Sequence, residues 1–396
     1  MARKNAKTLY ELMLVQPTKA DDSSVNQMCS LCGMSLFSGV KMSHTISSDA
    51  LTSKVAALFR KCGSTAQEAN EVATNLVMAN LSGHDSHGVG MAPRYVDAVL
   101  EGILKPNASV LIHKDHGMML GLDGGTGYGQ IVGVQAMELA FERVTQHGCC
   151  IFSLSNAHHL GRIGHYAELA VSRGLVSIHF VSVWARPVVA PFGGSDGRFG
   201  TNPCCIGIPL GWGDNTREPF VLDFATSRVA QGKMRVAHNE GRLAEPGTLI
   251  DEFGYPTLKP GVVVVPQSNG MMGALLPFGE HKGFGLAVAC ELLGGALSGG
   301  GTWHKNPDGR RAVVNNMLTI LIDPAGLGNQ TKFGQEALAF VDWLRQSPPA
   351  PDSAGMQLAG EPERIARSQR IRDGLVIDDA SWQELNDCAR KLGLPE

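Results

Sequence analysis

The chain has 396 residues, 43% of them hydrophobic and 18% charged, with a formal net charge of −3. That length exceeds one typical core and points to about two domains, and the composition is that of a soluble globular chain. The near-neutral balance offers no electrostatic footprint for nucleic acid or an anionic membrane. The cysteines (Cys29, Cys32, Cys62, Cys149, Cys150, Cys204, Cys205, Cys290 and Cys388) are odd in number, include two adjacent pairs and follow no regular spacing. This argues against a secreted disulfide framework and for a reducing cytoplasm.

Residues 1–43 show no periodicity and read as a disordered extension. The apolar run after Arg3, Lys4 and Lys7 is short and broken by Glu11, which makes a poor signal peptide. A lone CxxC at Cys29 and Cys32 is weak evidence for redox or metal chemistry. Organised sequence starts directly after Met42, so Met42 is a candidate translation start.

Over 48–81, apolar residues recur at three and four spacing (Leu51, Val55, Leu58, Phe59, then Val72, Leu76, Val77), which predicts two helices split at Gly63 and Ser64. Ser64 is the expected N-cap of the second, with Glu68 in its first turn. The stretch "SGHDSHGVGMAPRY" (82–95) follows, with Gly83 placed to end the helix and a further helix expected over 92–101, starting near Pro93. Residues 118–148 read as a strand passing into a helix. Gly127, Gly129 and Gly133 there suggest either a dinucleotide loop or a glycine-rich turn, and no acidic residue about 20 positions on completes a Rossmann pattern.

Short strands are expected at 148–161, 174–183, 204–211 and 219–227, with a helix at 165–174. The most apolar stretch, 174–194, is interrupted by His179 and Arg186 and reads as buried strand, not a membrane span. A long apolar helix is expected from near Gly283, a strand over 315–323, a Pro/Ala/Ser-rich connection over 346–363 and an amphipathic helix over 380–393. There is no repeat of 20–50 residues. Helices and strands mix without a regular βαβ rhythm, which disfavours a plain doubly wound sheet.

Four clusters carry candidate chemistry. His84, Asp85, Ser86 and His87 suit acid–base work, a zinc site completed by residues such as His158, His159 or Asp223, or only a polar loop. "SNAHHLGRIGHY" (155–166) puts His158 and His159 after an apolar strand, where adjacent side chains point to opposite sides and one is expected to face a site. "APFGGSDGRFGTNP" (190–203) and "LDFATSRVAQGK" (222–233) suit phosphate or ribose contacts; Asp223 could accept from ribose hydroxyls, while Thr226 and Ser227 could instead cap the next helix. In "GEHKGFG" (279–285), Lys282 at a helix start is electrostatically unfavourable unless an anion sits there.

In order and spacing, "GHDSHGV", "NAHHLGRIGHY", "PFGG…GTNP", "DFATS…GK", "HKGFGLA" and "AGEPE" resemble the non-Rossmann malate/L-lactate dehydrogenase family, from about Thr45 to the C-terminus. Its relatives include ureidoglycolate and sulfolactate dehydrogenases and cyclic imino acid reductases. The resemblance implies a two-domain α/β subunit with a non-Rossmann NAD(P)-binding domain and a mixed or antiparallel sheet flanked by helices. Residues 44–115 with 270–396 would form a helical, substrate and dimerisation domain, and 116–269 the cofactor domain. It also implies a homodimer or dimer of dimers, and NAD or NADP as cofactor, with NAD ahead.

By the same resemblance, the serine–histidine pair falls on Ser86 and His87 and the second catalytic histidine on His159. Cofactor contacts fall on Asp223, Phe224, Ala225, Thr226, Ser227, His281, Lys282, Gly360 and Glu361. Relatives often carry an arginine where this chain has Met91; Arg94, Arg162 or Arg186 would then hold a substrate carboxylate. Ala359 stands where proline is common. The expected reaction is hydride transfer between NAD(P)H and a small 2-oxo or 2-hydroxy carboxylate, or reduction of a cyclic imino acid, with no metal, nucleic acid or membrane partner. Rival readings are a metal-dependent hydrolase using His84, His87 and His159, and a non-catalytic binding protein.

Overall fold

The computed structural model describes residues 43–211, 217–304, 313–353 and 355–395. The CxxC at Cys29 and Cys32, and Met42, lie outside them. A short strand, β1 (Ser43–Ile46), leads into α1 (Ser48–Lys61) and α2 (Ala66–Leu81). The N-cap of α2 is Thr65, whose hydroxyl accepts the Glu68 N–H at 3.2 Å, and not the expected Ser64. Ser64 is already used by the preceding helix. Gly63 takes φ +98°, its N–H bonds Arg60 O, and the Ser64 N–H reaches back to Phe59 O, which satisfies the open carbonyls of α1. The same closure ends α2, where Gly83 (φ +81°) bonds Asn80 O and His84 N–H bonds Ala79 O, both at 2.9 Å. Two 3₁₀ turns, Asp85–His87 and Val89–Met91, then lead into α3 (Ala92–Leu100), with Pro93 in its first turn.

The middle of the chain runs β2 (Leu111–His116), β3 (Met119–Asp123), α4 (Gly129–His147), β4 (Cys149–His158), α5 (Gly164–Val171), β5 (Val176–Trp184), β6 (Cys204–Ile208) and β7 (Phe220–Phe224). After α6 (Gln231–Asn239) come the two-residue strands β8 (Leu249–Ile250), β9 (Pro256–Thr257) and β10 (Ala274–Leu275). Then follow α7 (His281–Cys290), which runs on into a π-helical turn Glu291–Ala296, and β11 (Val314–Ile322). The chain closes with α8 (Gln330–Arg345), α9 (Glu361–Asp373), β12 (Leu375–Asp378) and α10 (Asp379–Lys391).

The central sheet has the order β2-β3-β4-β11-β5-β6-β7. Only β3 and β4 pair in parallel, as a β–α–β unit through α4; the other neighbours are antiparallel. This is the mixed sheet flanked by helices that the resemblance implied. β8–β10 form a small antiparallel sheet, and β1 pairs with β12.

The apolar residues collect in distinct clusters. One joins α1, α2, α3 and α10 with Tyr128 and Ile131. A second fills the space between the central sheet and α4 and α5. A third joins α6 and α7 to the small sheet through Met234, Leu249, Leu275 and Ala287.

The glycines of the α4 entry serve packing. A Cβ on Gly129 would lie 2.5 Å from the carbonyl oxygens of both His158 and His159, and one on Gly133 would lie 2.6 Å from the Tyr166 hydroxyl. Glycine at 129 therefore lets the start of α4 lie directly on the end of β4.

Other expectations need correction. Thr226 and Ser227 do not cap α6, whose N-cap is Ala230. Thr226 instead donates to the carbonyls of Thr201 and Asn202 at 3.0 Å, and Ser227 to Val229 O at 2.8 Å, so both hydroxyls are spent on loop backbone. The apolar helix starts near Gly283 as expected, at His281; Gly283 sits in its first turn, where a side chain would strike Phe278 O. The connection after residue 346 ends at Gly360, and α9 starts at Glu361. No helix of the described residues is long and apolar enough to cross a membrane.

Candidate active site

The segment after α2 is pinned by Asn80, a residue that sequence reasoning missed. Its buried amide donates to Asp85 Oδ1 at 2.7 Å and accepts the Val89 N–H at 2.8 Å. Gly88 lies so close to this amide that a Cβ would be 2.1 Å from Asn80 Oδ1. Asp85 receives two hydrogen bonds from the Arg370 guanidinium, at 2.7 and 3.1 Å, and His84 pairs with Glu363 at 3.0 Å. Both residues thereby tie the segment to α9. Ser86 and His87 remain: Ser86 Oγ and His87 Nδ1 are 2.9 Å apart.

His159 enters from the end of β4. Its ring stacks against that of His87, with centroids 5.6 Å apart and planes 19° from parallel. Its Nδ1 is 2.6 Å from the Tyr95 hydroxyl, which in turn accepts a hydrogen bond from Gln130 Nε2 at 2.8 Å. His158 packs edge-on to Tyr95 at 5.2 Å, and its Nδ1 has no hydrogen-bond partner. So the geometry pairs His159, and not His158, with His87. Tyr95 and Gln130 gave no motif signal, since a lone tyrosine or glutamine on a helix reads as ordinary core.

Burial is the main influence on protonation here. It lowers His87 to about 4, helped by the charges of His84 and Arg162. It pushes His159 well below its ordinary value, helped by His87, His158 and Arg94. Both rings are neutral at neutral pH, and Tyr95 is raised by burial and stays a phenol.

A second set of residues gathers around β7. Asp223 Oδ2 accepts the Gly164 N–H at 2.7 Å. Burial raises this carboxyl and the Arg162 charge opposes the rise. The stretch from Asp223 through Phe224, Ala225, Thr226 and Ser227 runs beside residues 276–278: Ser227 bridges Pro277, and Phe278 N–H donates to Thr226 O at 3.0 Å. That pairing brings in the start of α7, where His281 and Lys282 are exposed and no side chain caps the backbone. Ala359 O accepts the Val221 N–H at 3.1 Å, which fixes Gly360 (φ +95°) and Glu361 against β7. Glu361 itself is occupied by Arg345 and the Leu358 N–H.

The three arginines differ. Arg162 is buried and paired with Glu168, which also binds Arg367. Arg186 donates to Val263 O at 2.5 Å. Among the described residues, Arg94 meets only the Met91 sulfur, at 3.4 Å. His84, His87 and His159 each have separate partners, and no cluster of three or more His, Cys, Asp or Glu suited to a metal occurs among the described residues.

Residues 46–386 match the family model described as malate/L-lactate dehydrogenase. The chain belongs to that family. It is 45% identical over 358 residues to hydroxycarboxylate dehydrogenase B of Escherichia coli, covering 89% of this chain and 96% of the relative. It is 42% identical over 332 residues to an L-lactate dehydrogenase of Cupriavidus necator, covering 82% and 91%. Among solved structures, sulfolactate dehydrogenase of Methanocaldococcus jannaschii superimposes with a TM-score of 0.77 at 31% identity, covering 89% of this chain and 98% of that one. Membership of this family makes the protein a dehydrogenase, and its sheet is of the same architecture.

Proposed function

We propose that the protein moves a hydride between a nicotinamide cofactor and the α-carbon of a small 2-oxo or 2-hydroxy carboxylate, with His159 as acid and base. The observation that carries this is the contact of two neutral imidazoles, His87 and His159, with the second held by Tyr95.

The residues present fit the cofactor. The uncapped first turn of α7, with Lys282 and His281, suits the charge of a pyrophosphate. The half-buried Asp223 carboxylate suits a hydroxyl-rich ribose, and the backbone from Phe224 to Ser227, with Gly360 and Glu361, would complete the cradle. When bound, the nicotinamide would supply the hydride chemistry at its C4.

On oxidation, the substrate hydroxyl proton goes to His159. Nδ1 is engaged by Tyr95, so Nε2 is the atom left to receive it. With Nδ1–H donating to the Tyr95 oxygen, the ring keeps its lone pair at Nε2 and is fixed in orientation. Because burial holds the imidazole neutral, the base form is present at neutral pH. On reduction, Nε2 returns the proton to the developing alkoxide. Ser86 and His87 position and polarise the reacting oxygen; His87 as the proton donor is the competing assignment.

The exposed Leu327, Phe340 and Trp343, on and beside α8, support a homodimer or dimer of dimers. The scattered cysteines support a cytoplasmic location. The test of function is a panel of 2-oxo acids and cyclic imino acids against NADH and NADPH, read at the absorbance of the reduced cofactor. Oxidation of either cofactor by a 2-oxo acid is the expected result. Stoichiometric zinc together with no change in NADH fluorescence would instead point to a hydrolase.

A further inference from the structure

Met91 leaves a question of charge. It is buried at 8% exposure, four residues after His87, and by the family resemblance it stands where an arginine would hold a carboxylate. A substrate carboxylate in a site of this kind needs a cationic partner, and a neutral thioether supplies none.

Two guanidiniums remain nearby without one. Arg94, one turn along from Met91 and exposed, rests on the Met91 sulfur and makes no ion pair among the described residues. Arg235 lies on α6 and makes no ion pair or hydrogen bond among the described residues; it is half-buried. α6 is held directly against Ser86. A Cβ on Gly232 would stand 2.7 Å from Ser86 Cβ, so the helix passes over Ser86 in close contact. Arg235 follows Gly232 by one turn and so shares its face.

The charges of these groups act on one another. Arg94 is lowered first by burial and next by Arg235, and Arg94 is among the charges that keep His159 neutral. Glu384 of α10 acts on Arg94 in the opposite sense but does not pair with it. Arg94 is exposed and Arg235 half-buried, so both keep contact with water, and an anion entering between them would exchange that water for charge-assisted hydrogen bonds.

We propose that Arg235 on α6 and Arg94 on α3 together grip the carboxylate of the substrate, in place of an arginine at position 91. This rests on the dehydrogenase reading above and adds to it a specificity residue, Arg235, outside the stretches that carry the family resemblance. Gripping from two helices also ties α6 to substrate: the helix that packs on Ser86 carries half of the clamp.

The test is the Arg235→Gln variant beside Arg94→Gln and Arg235→Lys. Turnover is measured with pyruvate, 2-oxoglutarate, phenylpyruvate and the uncharged methyl pyruvate. Oxamate binding to the NADH-loaded protein is followed by fluorescence. Arg235→Gln should raise KM for the acids by about 10–100-fold, the loss expected for a charge-assisted hydrogen bond, and weaken oxamate to match. NADH affinity and methyl pyruvate turnover should not change. Arg235→Lys should recover only part of the loss, because an ammonium lacks the planar fork.

A wild type that turns over an acid of the panel while Arg235→Gln, folded by circular dichroism, shows the same KM overturns the clamp and leaves the dehydrogenase reading standing. A wild type that neither turns over nor binds any acid overturns both.

Discussion

In one part of the candidate site His159 is 9% exposed, bonded to Tyr95 and stacked on His87; in another, His281 and Lys282 are exposed on a helix start that no side chain caps. The first part is finished before any ligand arrives. Its rings are desolvated, hydrogen-bonded and neutral, so proton transfer requires no rearrangement of the protein. The second part is left open. The Lys282 ammonium faces solvent there, and its worth would be realised only when an anion replaces the water around it. The contrast teaches a division of labour: in the proposed mechanism geometry is stored where the proton would move, and affinity where the cofactor would dock.

The division is broken most directly at His159. His159→Ala should lower kcat by about 10²–10⁴-fold, the usual range for a positioned acid–base group, with NADH binding little changed. Unchanged turnover would remove His159 from the mechanism. Asp223→Asn tests the other part. It should weaken NADH by about 10-fold or more, as expected for a hydrogen bond to a charged acceptor, while kcat at saturating cofactor holds. Equal fluorescence titrations of variant and wild type would count against a ribose contact.

Tyr95→Phe sharpens the comparison from within the buried part. It deletes the 2.6 Å contact to Nδ1 and should lower kcat about 10-fold, without moving cofactor affinity. A kcat equal to wild type would mean that packing alone orients the ring. Lys282→Ala should have a smaller effect, about 3-fold on cofactor affinity, and that effect should shrink as salt is raised from low ionic strength. A salt-independent loss would argue against an electrostatic role.

The buried histidines also predict a pH response of stability. His87 and His158 are lowered by burial to about 4 from 6.5, so the unfolded chain binds more protons between those values. Stability from their neutral burial is complete above pH 6.5 and is lost as pH falls toward 4. For His158, which is 3% exposed, this is on the order of 2 kcal/mol at pH 5. Urea midpoints at pH 7.5 and 5 should differ accordingly; equal midpoints would contradict the neutral burial.

Much of this was legible in the sequence because it is local. The period of α1 and α2, the glycine that ends α2, and the strand that delivers His159 all follow from near neighbours. The chemical letters Ser86, His87, His159, Asp223 and Lys282 sit in short motifs. What was not legible depends on contacts between distant segments. Tyr95 matters because β4 brings His159 to it, while Asn80 lies close in sequence but acts through side-chain contacts across a turn to Asp85 and Gly88, which no periodicity announces. Gly232 looked like part of a phosphate-type stretch, yet its closest contact is Ser86. α8 and α9 were missed: α9 carries a largely charged sequence, "EPERIARSQRIRD", with no buried residues to give it a clear apolar stripe. The N-cap of α2 was misplaced by one residue because the end of one helix and the start of the next compete for the same serine.

The contact of Gly129 with the carbonyls of His158 and His159 has a consequence for altering this protein. The reach of the His159 ring toward a substrate is gauged by main chain resting on main chain, with no rotamer in between to take up slack. If Met91 and Arg235 line the substrate as proposed, they can be exchanged to change which acid is accepted while the imidazole keeps its height. The spacer itself admits no such freedom, since one added methyl group at position 129 would press on both carbonyls and shift the proposed base.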